Sequence, residues 1–217
     1  MSIAIDPAFV NWSEEGSLEG RPLVLLLHGY GRDEHSLDQV GAALADDVVT
    51  AALRGPRPSR DPFPGGNGWW DVDPEIIPLP GQDAETTEAV LAWLDGVIAE
   101  RGTPSALGAL GFSQGAALSL NLLRYAPERW DAVVTLGGFS LFAPAPGDTR
   151  LAELKPAVFW GRTENDPAIR ADYIAHTHDS LTGVVDLTER VYPGDEHAIV
   201  PDELADAVAF LRSRLLA

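Results

Sequence analysis

The 217-residue chain contains no cysteine. Disulfides, thiolate metal sites and a cysteine nucleophile are therefore excluded. Lysine is almost as scarce: Lys155 stands alone among 15 Lys and Arg residues, set against 33 Asp and Glu, for a formal net charge of −18 at pH 7. A surface this poor in positive charge repels nucleic acid and anionic membranes. The preference for arginine over lysine fits either a GC-rich coding bias or an adaptation to high salt, where screening removes the self-repulsion. No apolar run approaches the roughly 20 residues of a membrane span. The first twenty residues hold Asp6, Glu14, Glu15 and Glu19 and lack the apolar core of a secretory leader, so the cytoplasm is the expected compartment. Neither a Walker nor a dinucleotide glycine motif occurs. His176 and His178 are two residues apart, which does not put them on one helix face. No metal and no cofactor are expected.

What remains reads as one α/β domain over residues 1–217. Strand-like apolar runs are predicted at Pro22 to Leu27, Val48 to Leu53, Ala106 to Phe112, Asp131 to Leu136, Pro156 to Gly161 and Val184 to Tyr192. Helical spacing is predicted between them. Glu34 to Leu44 is the first such segment. The second is capped at Asp83, carries Val90, Leu94, Val97 and Ile98 on one face, and stops at Gly102. Others run from Gln114 to Tyr125, around Ala168 to Leu181, and from Pro201 through Leu204, Val208, Leu211 and Leu215. Such alternation implies a mostly parallel sheet with helices on both faces, and no insertion is long enough for a separate cap domain.

One stretch breaks the pattern. Arg54 to Gln82 holds seven prolines and five glycines and shows no period. Connections longer than roughly 12–15 residues are usually functional or disordered, but this one also carries Phe63, Trp69, Trp70, Ile76, Ile77 and Leu79, which disordered linkers lack. It is expected to be ordered, either lining a pocket or held to the surface by its tryptophans.

The chemistry is concentrated in Gly111-Phe112-Ser113-Gln114-Gly115, a G-x-S-x-G that follows a predicted strand and opens a predicted helix. A nucleophile elbow needs that context: small residues allow the tight turn, and the helix N-terminus favours developing negative charge. A serine hydroxyl needs a base, and the base an orienting acid, in the chain order serine, acid, histidine. Asp166 follows Ser113 by 53 residues and His197 follows Asp166 by 31, both in loops at the carboxyl ends of predicted strands. Glu164, Asp195 and Glu196 are competing acids, the last two too close to His197 to orient it easily. The oxyanion would be held by the backbone N–H groups of Gln114 and of Tyr30, in His28-Gly29-Tyr30-Gly31. His28 itself is expected to be structural. Trp69, Trp70 and Phe112 are the candidate substrate contacts.

Leu27 to Glu34, Gly111 to Ala116, Gly161 to Pro167 and Tyr192 to His197, with Gly68-Trp69-Trp70-Asp71, together resemble the phospholipase/carboxylesterase family that includes the acyl-protein thioesterases. Ala116 stands where the family commonly has a second glycine after the serine. The resemblance implies an α/β-hydrolase fold, the triad Ser113, Asp166 and His197, and an oxyanion hole at the Tyr30 and Gln114 amides. The expected activity is serine carboxylesterase on short to medium acyl esters. The alternatives are lysophospholipase or acyl-protein thioesterase on the same triad, or a non-catalytic binding protein on this fold. The expected partner is a small-molecule ester, with no nucleic acid, no stable membrane association, and a homodimer left open.

Overall fold

The computed structural model describes residues 3–61, 63–73 and 78–217; Ile76 and Ile77 lie outside the described residues. In chain order the strands are β1 (Val10–Trp12), β2 (Leu23–Leu27), β3 (Val49–Leu53), β4 (Arg57–Pro58), β5 (Asn67–Gly68), β6 (Leu107–Phe112), β7 (Ala132–Leu136), β8 (Ala157–Thr163) and β9 (Asp186–Tyr192). The helices are α1 (Asp38–Leu44), α2 (Gln82–Arg101), α3 (Gln114–Tyr125), α4 (Asp148–Leu154), α5 (Ala171–Leu181) and α6 (Pro201–Leu215). Seven strands form one sheet in the order β1-β3-β2-β6-β7-β8-β9. Every pairing in it is parallel except β1 with β3.

All five residues of β2 are buried, yet the period of two survives in their partners. Leu23, Leu25 and Leu27 join a core with Val90 and Leu94 of α2, much of α3, and Leu181 of α5. Val24 and Leu26 join a second core with Val40 and Leu44 of α1 and Val208, Leu211 and Leu215 of α6. A sheet buried on both faces needs apolar side chains in both registers, so its strands read as unbroken apolar runs. Helix α3 is buried from Gln114 to Arg124.

Several predicted boundaries shift for local reasons. The segment before α1 is a turn rather than helix, because the Asp33 carboxylate accepts from the His35 amide and the Ser36 hydroxyl. Glu34 there is drawn into an ion pair with Arg54. Asp83 does not cap α2: the N-cap is Gly81, at φ +80°, and Asp83 lies in the first turn. Edge strand β1, helix α4 and the β4–β5 ribbon carried no readable period; each is seven residues or fewer.

Running outward from β2 the chain first adds β3 on one side, then returns to place β6 on the other. The crevice at such a reversal, beyond the carboxyl ends of the strands, is where open α/β sheets hold their ligands.

Candidate active site

Ser113 joins β6 to α3 at that reversal, with φ 56° and ψ −117°. A non-glycine residue at positive φ costs energy, of order 1–3 kcal/mol, and persists only where its surroundings impose it. Here they do so through close backbone crossings. A Cβ on Gly111 would stand 2.0 Å from the carbonyl oxygen of Gly115, and one on Gly115 would stand 2.0 Å from that of Leu27. The Ser113 amide donates to the Leu136 carbonyl at 2.9 Å, which ties the turn to β7. Ala116, in place of a glycine, is fully buried without disturbing this turn.

The loops after β8 and β9 bring Asp166 and His197 to the same point. His197 Nε2 lies 2.8 Å from Ser113 Oγ, and His197 Nδ1 lies 2.7 Å from Asp166 Oδ2. Asp166 Oδ1 accepts from the Ala168 amide at 2.8 Å, and its side chain is only 2% exposed. The two loops are fastened together: the Thr163 hydroxyl donates to the Glu196 carbonyl, and the Asn165 amide to that of Gly194. Glu164, Asp195 and Glu196, the competing acids, are all exposed. The Phe112 ring packs on the His197 imidazole with centroids 4.8 Å apart. Among the described residues no hydrogen bond takes up the Tyr30 or Gln114 amide, and both residues border the same cavity as Ser113 and His197.

That cavity encloses about 350 Å3, with walls from Tyr30, Phe63, Trp70, Phe112, Phe139 and Ile169. The two neighbouring tryptophans separate here. Both rings are buried, but Trp70 borders the cavity and Trp69 does not: the Trp69 indole N–H donates to the His28 carbonyl at 2.8 Å and its ring lies against the His28 imidazole. The expectation of Trp69 as a substrate contact is thus corrected. His28 is structural as expected: Nδ1 lies 2.7 Å from the Gly29 carbonyl, and Nε2 accepts from the Gly55 amide. Burial pushes its pKa down to about 4.

Two further residues escaped the sequence reading. The Gln114 side chain, buried, accepts from the Trp69 amide through Oε1 and donates through Nε2 to the Trp70 carbonyl, both at 2.8 Å. The residue after the nucleophile therefore clamps the aromatic loop. Glu203, at the third position of α6, is 1% exposed and packs on Gly161. Its Oε2 accepts from the Val200 amide, while Oε1 has no hydrogen-bond partner among the described residues. Burial pushes its pKa up to about 7, opposed by the Val200 amide and aided by the charge on Asp166. Only its position in the first helical turn signalled it, and that pattern reads as ordinary capping.

Elsewhere, His176 stacks on Phe142 and His178 lies against Glu189. No group of three metal-ligating side chains occurs among the described residues, nor any helix long and apolar enough to cross a membrane.

Residues 13–215 match the family described as Phospholipase/Carboxylesterase. The chain belongs to that family. Over 104 residues it is 34% identical to Acyl-protein thioesterase 1 of Debaryomyces hansenii, covering 46% of this chain and 45% of that protein. It is 30% identical over 112 residues to Acyl-protein thioesterase 1 of Saccharomyces cerevisiae, covering 48% of each. The chain thus matches just under half the length of these curated relatives. Among solved structures, esterase PE8 superposes with a TM-score of 0.79 at 24% identity, over 99% of this chain and all of that one. The architecture is the α/β-hydrolase fold.

Proposed function

We propose that this member of the phospholipase/carboxylesterase family is a serine carboxylesterase that hydrolyses short to medium acyl esters through an acyl-enzyme on Ser113. The observation that carries the reading is the hydrogen-bonded chain Ser113 Oγ, His197 and Asp166 at the base of an aromatic cavity. With the Nδ1 proton directed at Asp166, the lone pair of Nε2 faces the serine hydroxyl. His197 then takes that proton as Oγ attacks the ester carbonyl, and returns it to the departing alcohol. The Tyr30 and Gln114 amides hold the oxyanion. Water, deprotonated by the same imidazole, releases the acid and restores Ser113.

The short-chain preference rests on the Trp70, Phe63 and Phe112 rings around the cavity. A second reading, an acyl-protein thioesterase, is favoured by the names of the two yeast relatives. The net charge of −18 supports the absence of nucleic-acid partners and of stable membrane association, and a cytoplasmic location goes with the same reading.

A fluorophosphonate probe should label the protein at Ser113 alone, and Ser113→Ala should abolish both labelling and ester turnover. Labelling at another serine, or residual wild-type turnover in the variant, would overturn the assignment. Turnover of butyryl and palmitoyl oxygen esters beside a palmitoyl thioester separates the two readings.

A further inference from the structure

In a chain with more than two carboxylates for each basic side chain, an arginine left without one stands out. Arg101 and Arg190 donate to main-chain carbonyls. Every other arginine except Arg32 has a carboxylate oxygen within 4.0 Å. Among the described residues Arg32 makes neither an ion pair nor a side-chain hydrogen bond. It borders the cavity that holds Ser113 and His197, and it is exposed there. No Asp or Glu borders that cavity among the described residues, so Arg32 is its one permanently charged side chain.

The backbone at Arg32 is firmly held. The Gly31 amide donates to the Asn67 carbonyl and the Asn67 amide to the Arg32 carbonyl, each at 2.8 Å. This pairing fixes the guanidinium's point of attachment two residues beyond Tyr30, whose amide faces the proposed oxyanion. A long side chain with five donors, anchored at its base and unpaired at its tip, suits a carboxylate that arrives with a ligand.

We propose that Arg32 receives a carboxylate carried by the ester substrate, apart from the scissile bond, so that monoesters of dicarboxylic acids are preferred over neutral esters of matching length. The inference rests on the esterase reading of Ser113. The acidic surface does not oppose it, because at physiological ionic strength fields fade over about 8 Å, and Arg32 is the one permanently charged side chain bordering the cavity among the described residues. Val72, Trp70, Phe112, Phe139 and Ile169 supply apolar walls that suit the methylene chain between the two carboxyl groups.

The test compares kcat/KM for monomethyl glutarate and monomethyl adipate with their dimethyl esters, followed by acid release. The anionic-to-neutral ratio should fall about fivefold in Arg32→Ala, as expected for an exposed ion pair, and recover in Arg32→Lys. Molar KCl should lower the ratio in the wild type and leave it unmoved in Arg32→Ala. An equal ratio in wild type and Arg32→Ala overturns the proposal. Calorimetric titration of Ser113→Ala protein with adipate, with and without Arg32→Ala, decides the point without turnover. Weaker binding on loss of Arg32 supports the proposal, and equal or undetectable binding in both refutes it. If the wild type leaves every ester intact, the Ser113 reading has failed, and the calorimetric comparison still judges Arg32.

Discussion

Replacing Glu203 by glutamine should stabilise the protein in mild alkali and leave it unchanged in acid. The carboxyl is 1% exposed and its Oε1 has no partner among the described residues. Folding raises its pKa from 4.5 to about 7, so the folded chain holds that proton more tightly than the unfolded chain. Its favourable contribution is complete below pH 4.5 and is lost as pH rises through about 7. At about 1.4 kcal/mol per pKa unit, the buried charge costs about 3 kcal/mol by pH 8. Glutamine keeps the shape and the acceptor for the Val200 amide but cannot ionise. For a chain of this size the gain at pH 8 corresponds to roughly 6–12 °C in Tm.

His28 makes the wild-type profile misleading by itself. Its pKa, pushed down to about 4, gives a contribution present above pH 6.5 and lost as pH falls through about 4. The two groups have opposite slopes over much the same range, so wild-type stability should vary little between them. Glu203→Gln should expose the rising His28 limb. Thermal denaturation of both proteins from pH 4.5 to 8.5 gives the difference curve, in which the other titrating groups cancel. A difference that does not grow with pH, or a variant less stable at pH 8, would refute the burial argument.

Gln114→Ala removes the two hydrogen bonds that Gln114 makes to the Trp69–Trp70 segment and leaves the buried Trp69 amide and Trp70 carbonyl unpaired, at a cost of about 1–3 kcal/mol. Its Tm should drop by several degrees and kcat/KM should fall with it, both readable on one preparation. Trp70→Ala should move ester preference from butyrate towards octanoate and palmitate, measured as kcat/KM across the series; an unchanged order would remove Trp70 from the acyl wall. Tm should be higher in molar KCl than in dilute buffer, since screening relieves the repulsion of 18 excess negative charges. An equal or lower Tm favours the coding-bias reading of the composition.

The parts of the fold that could be read in the sequence were those set by local pattern. Helix α3 runs from Gln114 to Tyr125 as predicted, because the glycine-flanked turn starts it and Pro127 follows its end. The strand after Val48 and the long helix ending at Gly102 were equally plain, being long, apolar or strongly punctuated. Edge strand β1 was not, since Val10-Asn11-Trp12 becomes a strand only by pairing with β3, some forty residues away. The site divides in the same way. Ser113, Asp166 and His197 announce themselves by residue type, order and position after strands. Which of Trp69 and Trp70 faces the cavity depends on a clamp from Gln114, and the importance of Arg32 depends on where every carboxylate in the chain ends up. Neither can be read from the residues beside it in sequence.

The clamp has a consequence for how substrate range can change in this chain. Gln114 directly follows Ser113, and its side chain reaches the loop that forms one wall of the cavity. What the side chain grips is main chain, the Trp69 amide and the Trp70 carbonyl, so the identity of either ring is invisible to it. The indole at position 70 can therefore be exchanged for another apolar group of similar burial while the loop stays registered against the nucleophile turn. A residue inserted or deleted between Arg57 and Gln82 would instead shift that register, and the disturbance would pass to the Gln114 amide, whose nitrogen is bonded directly to the Ser113 carbonyl carbon. Diversification of the acyl wall is thereby channelled into side-chain exchange at constant loop length.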